Sequence, residues 1–145
     1  MIALLQRVRS ASVSVDEKIV GAIEQGLLIF LCAEPDDNET IAQRFIERLL
    51  NYRMFADGAG KMNRSVRDIN GGVLLVPQFT LAADTGSGLR PGFSQAAKPE
   101  FAQQLFAEAW QYLRQQHPAS ACGVFGADMQ VALINDGPVS FWLRS

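Results

Sequence analysis

A chain of 145 residues fits one domain and is long enough to bury a core without disulfide or metal staples. Hydrophobic residues make up 48% and charged residues 19%, with a mean hydropathy of +0.06, which excludes a disordered chain and leaves some apolar surface for a subunit interface. The net charge of −2 does not advertise nucleic-acid binding by the surface as a whole, so such a role needs a local basic patch.

The first residues, Met1 to Arg9, lack a basic lead, a long apolar stretch and a small-residue cleavage site, and the longest apolar run is far below the ~20 residues of a membrane span. No signal peptide and a cytoplasmic location are therefore expected. Residues 1 to 33 read as β-structure. Ser10 to Val15 alternates polar and apolar residues, Asp16-Glu17-Lys18 interrupts it, and Ile19 to Ile23 returns as the second arm of a hairpin. The run Leu27-Leu28-Ile29-Phe30-Leu31-Cys32 is too uniformly apolar for a half-exposed strand and predicts a central strand covered on both faces.

Pro35 to Glu39 supplies capping and acidic first-turn residues ahead of Ile41, Phe45, Ile46, Leu49 and Leu50, which predicts an amphipathic helix over residues 37 to 52. Asp57 to Arg64 and Asn70-Gly71-Gly72 carry turn chemistry. Val73 to Leu81 is a strand candidate in which Pro77 marks an edge, a bulge or an end. Residues 82 to 98 form a long irregular stretch, of the kind that is often functional in compact domains. Pro99-Glu100 opens a second helix with Phe101, Leu105, Phe106, Ala109, Tyr112 and Leu113 at helical spacing, stopped by His117-Pro118. The last third is β again: Met129 to Ile134 and Val139 to Leu143 flank Asn135-Asp136-Gly137-Pro138, either a plain connecting turn or a rigid element that presents bare backbone to a ligand. The order of elements predicts an α/β fold, a single domain over residues 1–145 with layered mixed or antiparallel sheets and two main helices.

Familiar catalytic chemistry is thin. Gly58-Ala59-Gly60-Lys61 has the wrong spacing for a phosphate loop, and Met62 stands where Ser or Thr is required. The only histidine, His117, sits at a helix end and reads as a cap or a surface residue, with no serine or threonine placed beside it for nucleophilic catalysis. Cys32 and Cys122 have no CxxC spacing and read as buried free thiols in a reducing compartment; no metal or other cofactor is expected. Arg53, Lys61, Arg64 and Arg67 form a modest basic cluster, either a solvated face or a phosphate contact. The strongest local anomaly is Gln78-Phe79-Thr80, polar residues flanking an aromatic just after Pro77; its plainer reading is an edge strand.

Motifs spanning essentially the whole chain carry a resemblance. Met1-Ile2-Ala3-Leu4-Leu5-Gln6-Arg7-Val8, Gly60-Lys61-Met62-Asn63, Gln78-Phe79-Thr80-Leu81-Ala82-Ala83-Asp84-Thr85, Arg90-Pro91, Phe93-Ser94, Ala127-Asp128-Met129-Gln130-Val131 and Asn135-Asp136-Gly137-Pro138-Val139 follow in an order similar to that of the D-aminoacyl-tRNA deacylases of the bacterial D-tyrosyl type. The resemblance implies an editing esterase, a carboxylic ester hydrolase. Its substrate is the ester joining a D-amino acid, or glycine, to the 3′-terminal adenosine of tRNA, and it works as a cytoplasmic homodimer.

It also implies a site built from two motifs. Gln78, Phe79 and Thr80 would form the catalytic element. Gly137 and Pro138, as a Gly-cis-Pro element, would enter the partner subunit's site, where backbone carbonyls exclude an L side chain and so perform chiral proofreading. Catalysis is ascribed to the tRNA 2′-OH, with the protein positioning the ester. Three positions depart from the family pattern: Pro77 replaces the usual serine, Ser140 the usual threonine, and Gly92 stands where serine is common. The first raises the alternative of a non-catalytic RNA-binding dimer on the same fold; a small-molecule binding module is a third reading. With so small a net charge, recognition confined to the acceptor end with a shallow salt dependence is expected.

Overall fold

The computed structural model describes residues 1–94 and 96–145; Gln95, inside the expected irregular stretch, lies outside the described residues. The elements are β1 (Ile2–Val15), β2 (Lys18–Ile23), β3 (Gly26–Cys32), α1 (Glu39–Leu50), β4 (Phe55–Ala56), β5 (Met62–Arg64), β6 (Gly72–Pro77), a 3₁₀ turn (Phe79–Ala82), α2 (Pro99–Gln116), β7 (Ser120–Cys122) and β8 (Gln130–Arg144). No helix among the described residues is long and apolar enough to cross a membrane.

β1 organises the main sheet. One edge pairs antiparallel with β8 from Ile2 to Ser14, while the other edge is shared, by β3 opposite Ile2–Val8 and by β2 opposite Ala11–Val15. β3 then pairs parallel with β6, and β6 parallel with β7, so the sheet is mixed. β3 and β6 carry apolar side chains on both faces. Leu27, Ile29, Leu31, Val73 and Leu75 pack under α1 and α2 with Phe45, Leu49, Leu105 and Leu113. Leu28, Leu74 and Val76 face a second core with Val8, Ala11 and Val13. That two-sided burial is what the unbroken apolar run of β3 predicts. The strands can approach closely because Gly26 and Gly72 meet at their paired ends: a Cβ at Gly26 would lie 1.8 Å from the Gly72 carbonyl oxygen.

Both helices follow their sequence signals. The Asn38 side chain caps α1 by accepting from the Ile41 amide at 3.0 Å, and Pro99 occupies the first turn of α2, where its missing N–H costs nothing. His117 caps the end of α2 as expected but is not a surface residue. It is buried, with Nε2 2.7 Å from the carbonyl oxygen of Gly71, because the chain must turn there to start β7 beside β6. Cys32 is buried and Cys122 half-buried, and both are free thiols.

Two expectations are corrected. Gln78-Phe79-Thr80 is not an edge strand: Pro77 cannot donate to a ladder, β6 ends there, and the chain tightens into the 3₁₀ turn. Residues 135–138 do not separate two strands either. β8 runs through them, and between the Gln6–Ser140 and Ser10–Ile134 pairs five residues of β8 lie opposite three of β1. The segment is therefore a wide bulge in one continuous edge strand. It falls at a corner: Leu143, Phe141 and Val139 on one side of it belong to the core under the helices, whereas Leu133 and Val131 on the other belong to the second core.

Candidate active site

The 3₁₀ turn is placed by the end of β6. The Gln78 amide still donates to the Leu31 carbonyl at 2.8 Å, which anchors the turn to the central strand β3. Beyond it the ladder stops, and the amides of Phe79 and Thr80 have no intramolecular acceptor among the described residues. Such orphan N–H groups are expected in the first turn of a helix and are available to a ligand oxygen. The Gln78 side-chain amide donates to the Thr80 hydroxyl, so the two polar side chains are held together as a pair. The Phe79 ring is 57% exposed and tilts against Phe93 at a centroid distance of 5.1 Å.

Gln78 and Phe79 line two adjoining clefts. One runs back over Met1, Leu31, Cys32, Ala33, Ala102, Phe106 and Phe125, and is largely apolar. The other is lined by Pro77, by the segment Phe125-Gly126-Ala127, by Met129 just before β8 and by Val131 within it. Cys32 is at the bottom of the first cleft. Burial pushes its thiol up to about 11, so it is a neutral apolar wall and not a nucleophile at neutral pH.

The bulge of β8 is the second part. The Gly137–Pro138 peptide is cis. Gly137 has φ +153°, and a Cβ there would lie 2.8 Å from the Val139 nitrogen and 3.3 Å from the Arg7 guanidinium, so only glycine fits. Two side chains hold the bulge. Arg7, with 16% of its side chain exposed, donates from Nε to the Asp136 carbonyl at 2.8 Å and from Nη1 to the Met54 carbonyl at 2.7 Å. Asn135 closes the bulge from within: its Oδ1 accepts from the Val139 amide at 2.7 Å, and its Nδ2 donates to Gln6 Oε1 at 3.1 Å and to the Ser140 hydroxyl at 3.1 Å. Ser140, where threonine is usual, keeps the hydroxyl that Asn135 uses.

Within one chain the two motifs lie apart. Gln78 and Phe79 line the clefts just described, whereas Asp136 lines a different one with Arg7, Gln25, Phe55, Ala56, Arg64 and Ile69. Gly137 and Pro138 project from the edge strand into solvent. Arg7, Asn135 and Met129 stand in motifs legible in the sequence, but their roles are not: the partners of Arg7 and Asn135 are up to 129 residues away or are backbone atoms, and no sequence signal marks Phe125 as a cleft wall. Arg67, one of the basic cluster in sequence, is spent on Glu47, in two hydrogen bonds of 2.8 and 3.0 Å.

A sequence profile of the family described as D-Tyr-tRNA(Tyr) deacylase matches residues 4–144. The chain is 60% identical over 144 residues to a D-aminoacyl-tRNA deacylase of Herminiimonas arsenicoxydans, covering 99% of this chain and 97% of the relative. It is 57% identical over 145 residues to a D-aminoacyl-tRNA deacylase of Stutzerimonas stutzeri, covering both chains completely. Among solved structures it superposes on a c-Myc DNA unwinding element binding protein with a TM-score of 0.94 at 35% identity, covering 100% of this chain and 99% of the other. A probable eukaryotic D-amino acid tRNA deacylase shares the fold at 14% identity, with a TM-score of 0.88 and coverage of 98% and 97%. The chain belongs to the D-Tyr-tRNA(Tyr) deacylase family, a family of hydrolases.

Proposed function

We propose that this deacylase acts as a cytoplasmic homodimer on the 3′-terminal adenosine ester of D-aminoacyl- and glycyl-tRNA. In this reading Gln78, Phe79 and Thr80 of one subunit face Gly137 and Pro138 of the other. The carrying observation is the pair of amides at Phe79 and Thr80, unpartnered among the described residues, on a turn anchored to the central sheet whose Gln78 and Phe79 line the clefts. They suit the oxyanion that forms when water adds to the ester carbonyl carbon, before the ribose 3′ oxygen leaves with a proton. One such donor is worth about 10²- to 10³-fold in rate. Among the described residues no base is bonded to Thr80 to activate it, so its hydroxyl, held by Gln78, positions the substrate; the vicinal 2′-OH of the ribose assists the proton transfers.

The bulge serves as the chiral gate. Its backbone occupies the volume an L side chain would need, while a D side chain points elsewhere and glycine has nothing to exclude. Because the bulge projects outward from its own subunit, it reaches a site only in a second copy. The outer face of β8 suits that copy: Ile134 is 58% and Trp142 55% exposed on an unpaired edge strand, surface that a monomer ordinarily protects. Pro77 removes a hydroxyl and an N–H at the turn without removing the amides that follow, so activity is retained.

Matched D-tyrosyl-, L-tyrosyl- and glycyl-tRNA are the test, with wild type and Pro77→Ser compared. Release of the D-amino acid and of glycine, with L-tyrosyl-tRNA spared, is expected. A wild-type rate at background that serine rescues overturns retained activity and leaves an aminoacyl-tRNA binder. A substrate ending in 2′-deoxyadenosine is expected to be hydrolysed poorly; undiminished hydrolysis refutes assistance by the 2′-OH.

A further inference from the structure

The root of the β8 bulge carries a concentration of positive charge that the chain as a whole does not. Arg7 and Arg64 line one cleft beside the bulge. Arg9 stands over Asp136 at 3.4 Å and is mostly exposed. The β4–β5 hairpin, tied to this region through Met54, which accepts from Arg7 and donates to the Arg64 carbonyl, adds Lys61 and the neighbouring Arg53. Arg53 and Arg64 both act on Asp68, whose carboxyl is held below its ordinary value chiefly by the backbone and hydroxyl of Ser65. The cleft and the hairpin beside it thus carry Arg7, Arg9, Arg53, Lys61 and Arg64 together with the carboxylates Asp57, Asp68 and Asp136, on a chain whose net charge is −2. Two of those carboxylates are occupied by their own backbone: Asp57 accepts from Ala59 and Lys61 amides, and Asp68 from the Ser65 amide. Arg53 and Lys61 have no ion-pair partner among the described residues, unlike Arg67.

We propose that this cleft and its hairpin rim bind phosphodiester groups of the single-stranded 3′ end of the tRNA, on the nucleotides preceding the terminal adenosine. The inference rests on the homodimer reading. If the bulge of one subunit stands in the site of the other, the cleft at its root is the surface that the substrate's strand crosses on leaving that site. Arg64, Arg53 and Lys61 then hold the strand in trans, while Arg7 stays engaged with the bulge. Exposed guanidinium and ammonium groups suit backbone phosphates, which need charge and no base-edge geometry; Arg64 donates from Nη2 to the Asp68 carbonyl, which fixes its guanidinium and leaves its other N–H groups for a phosphate.

The experiment compares wild type, Arg53→Gln/Arg64→Gln, and Arg67→Gln as a control whose side chain is spent on Glu47. D-tyrosyl-tRNA is hydrolysed over a range of salt concentrations, and 3′-O-D-tyrosyl-adenosine serves as a substrate with no phosphate. The double variant is expected to raise KM for the tRNA about tenfold with kcat within about twofold, as loss of charged contacts requires. It is expected to flatten the log–log salt dependence by about 0.7 per lost phosphate contact and to leave the phosphate-free substrate unaffected. The Arg67 control is expected to match wild type. An unchanged KM and salt slope, or an equal loss on both substrates, overturns the proposal. Anisotropy titration with an uncharged acceptor-stem hairpin keeps the test independent of turnover: if wild type does not hydrolyse D-tyrosyl-tRNA, the functional reading fails, and only an unchanged Kd and salt slope in the double variant also refutes the cleft.

Discussion

Replacing Arg7 with methionine keeps much of the side-chain volume and removes two charge-assisted hydrogen bonds, to the carbonyls of Asp136 and Met54. Hydrogen bonds to a charged group are worth about 1.5–3 kcal/mol each, and the freed carbonyls lose their partner at a site where Arg7 is only 16% exposed. Water reaches the Asp136 side of the bulge, which is half-exposed, so one carbonyl is rehydrated and the other is not. The expected loss is therefore about 3 kcal/mol in urea unfolding, at the low end of the roughly 3–6 kcal/mol of simple addition. The second readout is selectivity. With its anchor gone the bulge samples other positions, and L-tyrosyl-tRNA hydrolysis is expected to rise at least about tenfold relative to D-tyrosyl-tRNA, equivalent to about 1.4 kcal/mol of lost discrimination. Arg7→Lys retains the charge but cannot span both carbonyls, and is expected to fall between the two. A methionine variant with wild-type stability and undiminished selectivity refutes the role of Arg7. One that is destabilised but fully selective refutes the bulge as the gate while preserving the anchor.

Gly26→Ala forces a Cβ to within 1.8 Å of the Gly72 oxygen; the parallel pair must part, and a loss of at least about 3 kcal/mol is expected in denaturant melts. The hydrogen bonds from Arg67 hold the Glu47 carboxyl below its ordinary value, so this pair stabilises the fold above about pH 4.5 and ceases to as pH falls through the depressed folded value. Because both partners are about a third exposed, the pair is worth about 0.2–1 kcal/mol. The Tm gap between wild type and Glu47→Gln is expected to be a few degrees at most at pH 7 and to close below pH 4.5; a gap that widens in acid refutes the assignment. Cys32, with its thiol pushed up to about 11 by burial, is expected to resist iodoacetamide at pH 7.5 until the chain is unfolded, which mass spectrometry of the alkylated peptides reads directly.

Where local chemistry sets local structure, the sequence was sufficient. The capping run Pro35 to Glu39 and the Pro99 start bound the two helices to within about two residues of their observed limits, and the apolar run of β3 announced a strand buried on both faces. Pro77 marked a real strand end, but nothing local distinguished a 3₁₀ turn from an edge strand after it. That choice is made by the Leu31 carbonyl, which takes the Gln78 amide. Gly137 and Pro138 stood out as residues with special backbone, yet the bulge is held by Asn135 and by Arg7, 129 residues distant from Asp136, which the sequence offers as part of an N-terminal motif with no visible role. Long-range side-chain-to-backbone bonds leave no periodic trace. The same holds for His117, whose burial against the Gly71 carbonyl depends on β7 lying beside β6.

The five-against-three pairing of β8 with β1 implies a near neighbour among misfolded states. Sliding the Ser140–Arg144 arm by two residues would iron the bulge flat, and because the shift is even it would keep every side chain on its present face. Backbone pairing by itself does not forbid that strand. The fit of individual side chains does: the slot opposite Ala3, now filled by Leu143, would receive Phe141, and the slot opposite Leu5, now filled by Phe141, would receive Val139. One position becomes overfull and the other hollow, at about 1–3 kcal/mol apiece. The shape of the outward-facing backbone is thus written partly in the volumes of core residues that no substrate touches. Mutations that even out Val139, Phe141 and Leu143 should be read as changes to the bulge as much as to the core.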